Sequence, residues 1–207
     1  MKPHLLILFL TYCIPLWSIA QSDIAAANRN YGIKSCRIVY TFQNGPQSGS
    51  KIVTFDQWGA IEKEEVTTMT DTGLMRKALT DAPAPVNKMA LPGVQHVLLI
   101  KDTKTKYTID LGKMIGYVTH ASALQVGPDF LEKNSIVVGN DTILGKPCVI
   151  REMHQAFRFW VWNKIVLKKK LIQNGPEINV AEYATEIDED YVMKPDEFKV
   201  PPNIKVQ

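Results

Sequence analysis

The sequence predicts a mainly β protein of the α+β kind: one curved antiparallel sheet forming an incomplete β-barrel, with two or three short helices covering its concave side. Three observations predict it. Segments alternating apolar and polar residues recur along the chain, separated by short Gly-, Pro- and Asn-containing turns. They are not interleaved with the long helical segments that a parallel sheet requires. About ten consecutive antiparallel strands in one domain also do not stay flat, because a long flat sheet leaves an apolar face in water.

The chain has 207 residues, 45% of them hydrophobic. A single domain of this size buries roughly 70% of its unfolded surface and needs no metal or cross-link to hold a core. Residues 1–20, MKPHLLILFLTYCIPLWSIA, combine Lys2, an apolar run from Leu5 to Leu10 and small Ser18 and Ala20, the pattern of a signal peptide cleaved near Ala20. A membrane span is the weaker reading, since Pro15 and Ser18 interrupt a segment that would need about twenty apolar residues. Lipidation at Cys13 is weaker too, with bulky Tyr12 before it. Residues 21–207 are then one exported domain, periplasmic or secreted, and not an integral membrane protein. The whole-chain charge of +3 is too balanced for a nucleic-acid partner.

Lys34 to Gln43 places Cys36, Ile38, Tyr40 and Phe42 on one face of a first strand. NGPQSGS (44–50) is turn chemistry, Lys51 to Asp56 a second strand, and QWG a turn into a third, Ala60 to Met69. The charges of AIEKEEVTTM suit a sheet edge. From Thr70 to Gly93 the alternation stops, and Leu74, Met75, Leu79, Met89 and Leu91 lie among prolines. This stretch is either a helical turn followed by a surface loop or an apolar lid over a cavity. Strands resume at His96 to Lys101, Lys106 to Leu111 and, weakly, Met114 to Thr119. GPDFLEKN (127–134) reads as a short helix with Pro128 in its first turn. The last third returns to strands: Ile136 to Ile143, Pro147 to His154, Phe157 to Trp162, Ile165 to Ile172 and Glu177 to Ile187.

FRFWVWNKIVLKKKLI (157–172) is a hairpin turning at Asn163 and Lys164. By parity, Phe157, Phe159, Val161, Ile165, Leu167 and Leu171 share one face and are expected to line the concave interior. Trp160 and Trp162 then lie on the other face among cations, covered by helices, a neighbouring loop or a partner. The three-lysine run divides between the faces and cannot act as one patch.

No residue set carries catalytic chemistry. His96, His120 and His154 have no metal-ligand spacing, and nucleophile elbows and phosphate loops are absent. The expectation is a protein that is not an enzyme, with no catalytic residue, no metal and no cofactor. Cys36 and Cys148 are an even pair in an oxidising compartment, either joined as a disulfide or packed as two buried thiols.

A family resemblance follows from the C-terminal half. DTILGKPC (141–148), then FWVW, then IVLKKKLI, then PDEFKVPPNIK (195–205) resemble the periplasmic outer-membrane lipoprotein carrier-like (LolA/LolB-like) superfamily. The matching positions are Thr142 and Gly145 of a T-x-x-G turn, Trp160 and Trp162 of a Trp-bearing strand, Leu167 and Lys168, and Phe198, Val200 and Pro201 of a closing tail. TFDQWGAIEKEE (54–65) is similar to a segment of a poorly characterised branch. The resemblance implies a half-barrel plugged by helices around an apolar cavity. On that basis Ile38, Tyr40, Phe42, Phe157, Phe159, Val161 and Leu167 are expected to line a site for a lipid or acylated protein. The alternative is a structural or protein-interaction module of the cell envelope with a filled interior and an envelope protein as partner.

Overall fold

The computed structural model describes residues 29–73, 75, 94–102, 105–120, 128–172 and 180–207. Twelve strands form one large, open, curved sheet with very little helix. In chain order they are β1 (Cys36–Asn44), β2 (Gln47–Asp56), β3 (Ile61–Thr70), β4 (Val94–Lys101), β5 (Thr105–Asp110), β6 (Ile115–His120), β7 (Ile136–Ile143), β8 (Lys146–Met153), β9 (Phe157–Trp162), β10 (Ile165–Leu171), β11 (Val180–Asp188) and β12 (Lys205–Val206). The α-helix α1 (Pro128–Asn134) lies between β6 and β7, helical residues also occur at Thr72, Gly73 and Met75, and a 3-10 turn occupies Gln57–Gly59. Of the expected helical start, Asp23 to Asn30, only the last two residues are described.

The strand order is β12-β6-β5-β4-β3-β2-β1-β11-β10-β9-β8-β7. Two antiparallel meanders, β1–β6 and β7–β11, are thus sewn together by β1 against β11. Their far ends, β6 and β7, are consecutive in the chain. Of the residues between them, 128–135 are described, and they carry α1.

Turn chemistry sets the register. Asn163 and Lys164 both have positive φ, as do Leu144 and Gly145, so the two hairpins β9–β10 and β7–β8 close on two-residue turns that match strand twist. β2 begins four residues earlier than its apolar pattern suggests. Gly49 explains how: a Cβ there would lie 2.0 Å from the Thr67 carbonyl oxygen, and the Phe42 ring fills the space above it. Phe42 is spent covering that glycine.

β3 is not an edge. It lies between β2 and β4, and its charges have buried uses on both faces. On the outer face Lys63 pairs with Glu197 and, at 2.8 Å, with Glu65. The segment before β12 packs there: Phe198, Val200 and Ile204 cover a cluster of Leu98, Ile100 and Ile109. The larger core cluster joins Cys36, Ile38 and Tyr40 of β1 and Val53 and Phe55 of β2 to Cys148, Trp160, Trp162, Ile165 and Leu167. Cys36 and Cys148 are free thiols rather than a disulfide. Both sit in that cluster as small hydrophobes, and burial pushes the Cys36 thiol up to about 12.

Candidate functional site

Cross-strand partners share a face, which identifies the concave one. Ile38 pairs with Val53 and Tyr40 with Lys51. Phe55 pairs with Glu62 and Val53 with Glu64. On the other wing Val161 pairs with Val166, and Arg151 with Phe159. All of these line a half-open cavity of about 260 Å³ in the concavity, and Phe130 and Leu131 of α1 close part of it.

The helix is held there by Arg151. Its Nε donates to Ser135 Oγ at 2.9 Å, and its Nη2 donates to the Glu132 carbonyl at 2.9 Å. A cation at the C-terminal end of the helix satisfies carbonyls that have no partner within the helix. Pro128 and the short PDFLEKN run start the element; Arg151, on a strand of the sheet, fixes where it lies.

The opposite wall is built from the chain's beginning. Tyr31 stacks on Phe55 with ring centroids 4.3 Å apart, and its hydroxyl donates to Glu62 Oε2 at 2.7 Å. Tyr31 stands against Gly59, whose φ is 82° and where an added Cβ would come within 2.5 Å of the ring. Backbone bonds from Tyr31 to Trp58 and from Trp58 to Lys34 dock this segment on the 3-10 turn. Glu62 is 9% exposed. Burial lifts the Glu64 carboxyl above its usual range; nearby Lys51 opposes this, and the charge and hydrogen bond of Glu62 add to it. Lys51 is itself paired with Glu182 at 2.5 Å and lies over the Tyr40 ring at 4.6 Å. The cavity therefore has an apolar floor, a neutralised basic side and an acidic end.

Of the expected lining residues, Ile38, Tyr40, Phe159 and Val161 border this cavity, whereas Phe42, Phe157 and Leu167 do not. Phe42 covers Gly49. A bulge between Val166 and Lys168 breaks the simple parity of β10 and places Leu167, fully buried, in the core instead. Phe157 lies beside Phe159, with Lys169 over its ring. Of the expected lid, Met75 is in a helical turn closed by its N–H on the Asp71 carbonyl. Leu74, Leu79, Met89 and Leu91 lie outside the described residues.

Trp160 and Trp162 are on the outer face, each 8% exposed. Among the described residues they belong to the larger core cluster, and charged side chains of the sheet's own strands lie against their rings. Trp160 Nε1 donates to Asp141 Oδ2 at 2.8 Å, Lys168 lies over its ring at 4.4 Å, and Lys146 lies over Trp162 at 5.1 Å. The ammonium groups themselves lie over the indole faces as cation–π contacts. They leave no exposed aromatic patch. Among the described residues no three His, Cys, Asp or Glu side chains are arranged to hold a metal ion. Nor is any helix of the described residues long and apolar enough to cross a membrane.

The sequence reading missed Tyr31, Lys51, Glu62, Glu64, Arg151 and Glu182. Glu62, Glu64 and Val66 do share a parity in β3, but assigning that strand to an edge sent its carboxylates into water.

No protein-family model and no curated protein matches the chain. Among solved structures it is similar to an uncharacterized conserved protein from Thermus thermophilus, with a TM-score of 0.54 at 8% identity over 91% of this chain and 98% of that one. At that identity the likeness is one of fold. It is also similar to MucB, with a TM-score of 0.48 at 13% identity over 90% of this chain and 63% of the MucB chain. A further structure of that kind is the Pseudomonas aeruginosa MucA/MucB complex, with a TM-score of 0.47 at 13% identity, covering 84% of this chain and 58% of that one.

Proposed function

We propose that this chain is an exported, non-catalytic protein of the bacterial cell envelope, related in fold to the lipoprotein carriers, that holds an amphipathic ligand in its concavity. The ligand is a lipid or the acyl chain of an acylated protein, and the signal peptide is removed near Ala20. The observation that carries this reading is the half-open cavity of about 260 Å³, with Ile38, Val53, Phe55, Phe159 and Val161 around an apolar floor and charged groups at its sides. Ligand sites have this composition: apolar walls with a few placed polar groups. The volume sits just below the usual lower bound of about 300 Å³ for such sites.

Native mass spectrometry of gently purified protein, with uptake of a fluorescent fatty acid, tests the reading. Co-purified lipid or saturable uptake blocked by Val161→Trp supports it. Repeated absence of lipid together with no uptake overturns it.

A second reading, an envelope interaction module, is favoured by β7. This strand is the sheet's outer edge, and Ile136, Val137 and Val138 are all exposed on it, Ile136 at 66%. An apolar edge strand with unpaired backbone groups is a docking place for another strand. Pull-down of an envelope protein that is lost on Val137→Lys, with lipid uptake absent, would favour this reading over the first.

A further inference from the structure

The sheet treats its two edges differently. At one, β12 lies on β6. At the other, β7 pairs with β8 and, among the described residues, with no other strand. Edge strands ordinarily resist pairing by carrying lysine or proline. β7 has neither, and Ile136, Val137 and Val138 are all exposed on it. These residues do not share one face. Val137 is opposite Arg151 and so on the concave side, whereas Ile136 is opposite Glu152 and on the outer side. A ligand lying on either face would leave the other wet. A strand added along the edge covers both, because its side chains alternate above and below the sheet.

The strand that fits follows from β7 itself. Gly139, Asp141 and Ile143 are opposite Ile150, Cys148 and Lys146, on the face that carries Trp160, and Asn140 and Thr142 are on the concave face. Val138 is bulged out of the ladder, which reverses the facing of the residues before it. A second β7 running antiparallel about a two-fold axis at Asn140 matches this pattern. Asn140 faces Asn140, and an amide is both donor and acceptor, so it complements itself. Gly139 then faces Asp141, Val137 faces Thr142 and Ile136 faces Ile143, each pair on one face of the sheet, with the two bulges at symmetric points. Asp141 is the only charged residue of β7. Opposite glycine it meets no like charge, and its oxygens already accept from Trp160 Nε1 and the Thr142 N–H. Other placements of the axis do worse. At Asp141 it sets two carboxylates against each other; at Gly139 it sets Asp141 against Ile136.

We infer that β7 is a self-pairing edge, through which two copies of this chain join antiparallel about Asn140 and continue one sheet across both. This rests on β7 being a docking edge and names its occupant. The two-fold axis stands perpendicular to the sheet, so the concave faces of the two copies lie on the same side.

Sedimentation velocity of the whole protein across a wide concentration series tests it. The expected result is a rise in mass from one copy to two as concentration increases. Asn140→Asp and Asn140→Lys each set like charges on the axis and weaken association by about tenfold or more. An equimolar mixture of the two variants restores it, because opposite charges then face each other. Amide exchange across 137–142 slows as the unaltered protein passes through the same transition, a readout that does not depend on a variant. A mass of one copy at every concentration, or a dimer that both variants leave intact, overturns self-pairing. A mixture no tighter than its parts overturns the axis at Asn140. Where self-pairing fails, a pull-down of an envelope protein lost on Val137→Lys leaves β7 a docking edge with another occupant, and capture of none overturns that reading as well.

Discussion

The ion pair beneath the C-terminal segment gives a prediction whose asymmetry can be worked from the structure. Lys63 is 13% exposed and Glu197 7%, so both are nearly removed from water. Their partners differ. Lys63 has a second carboxylate, Glu65, at 2.8 Å and half exposed. Among the described residues the side chain of Glu197 has besides Lys63 only the Tyr191 hydroxyl, which donates at 3.1 Å. Lys63→Met therefore strands a buried carboxylate, and the lower end of the cost of breaking a buried pair, about 3 kcal/mol, applies. Glu197→Gln leaves Lys63 its other partner and keeps an acceptor for Tyr191, so about 1 kcal/mol is expected. In a chain of this size each kcal/mol moves the melting temperature roughly 2–4 °C, giving losses of about 6–12 °C and about 2–4 °C respectively. The double substitution strands no charge and is expected to be more stable than Lys63→Met alone. Thermal unfolding by circular dichroism near neutral pH reads all three, and hydrogen exchange at Lys205 and Val206 reads local release. Glu197→Gln costing as much as Lys63→Met, or a double variant equal to the sum of the singles, would refute the reasoning.

Three further outcomes are expected. Leu167→Ala removes a fully buried side chain from the joint between the two meanders and should cost about 3–4 kcal/mol in urea unfolding; a loss under about 1 kcal/mol would contradict its place in the core. The folded-state value of Glu64 is raised, so the stability it contributes is complete below the ordinary carboxylate value of 4.5 and declines as pH rises through its raised value. Glu64→Gln should flatten that decline, and an unchanged pH profile of the melting temperature would count against the buried pair. Arg151→Ala should raise amide exchange across 131–135 with little change in β1 or β2, because its bonds hold α1 to the sheet; unchanged exchange would show that Phe130 and Leu131 suffice.

Much of the fold was legible because strands write themselves locally. Period-two alternation located β7 and β9 to the residue, and the Asn163–Lys164 turn was readable because two residues between apolar runs leave few other geometries. The early start of β2 was not, since SGS carries no apolar signal and depends on Thr67 and Phe42 closing around Gly49. Nor was the bulge in β10, where one extra residue moves Leu167 from the cavity face into the core. β3 was misplaced for a related reason. Charges on a strand signal water only when nothing else lies opposite them, and the C-terminal segment and the cavity lie opposite these.

The sequence by itself determined the class of the fold, most of the succession of strands along the chain, and that Ile38, Tyr40, Phe159 and Val161 meet in the concavity, because alternation and turn chemistry are properties of neighbours along the chain. Tertiary structure alone decided which strands are edges, what covers the two tryptophans, and that Tyr31, Glu62 and Glu64 converge on one end of a cavity whose other side Arg151 closes with α1. Those contacts join residues far apart in the chain, and their energies depend on burial. Burial is a property of the assembled sheet that no single segment carries.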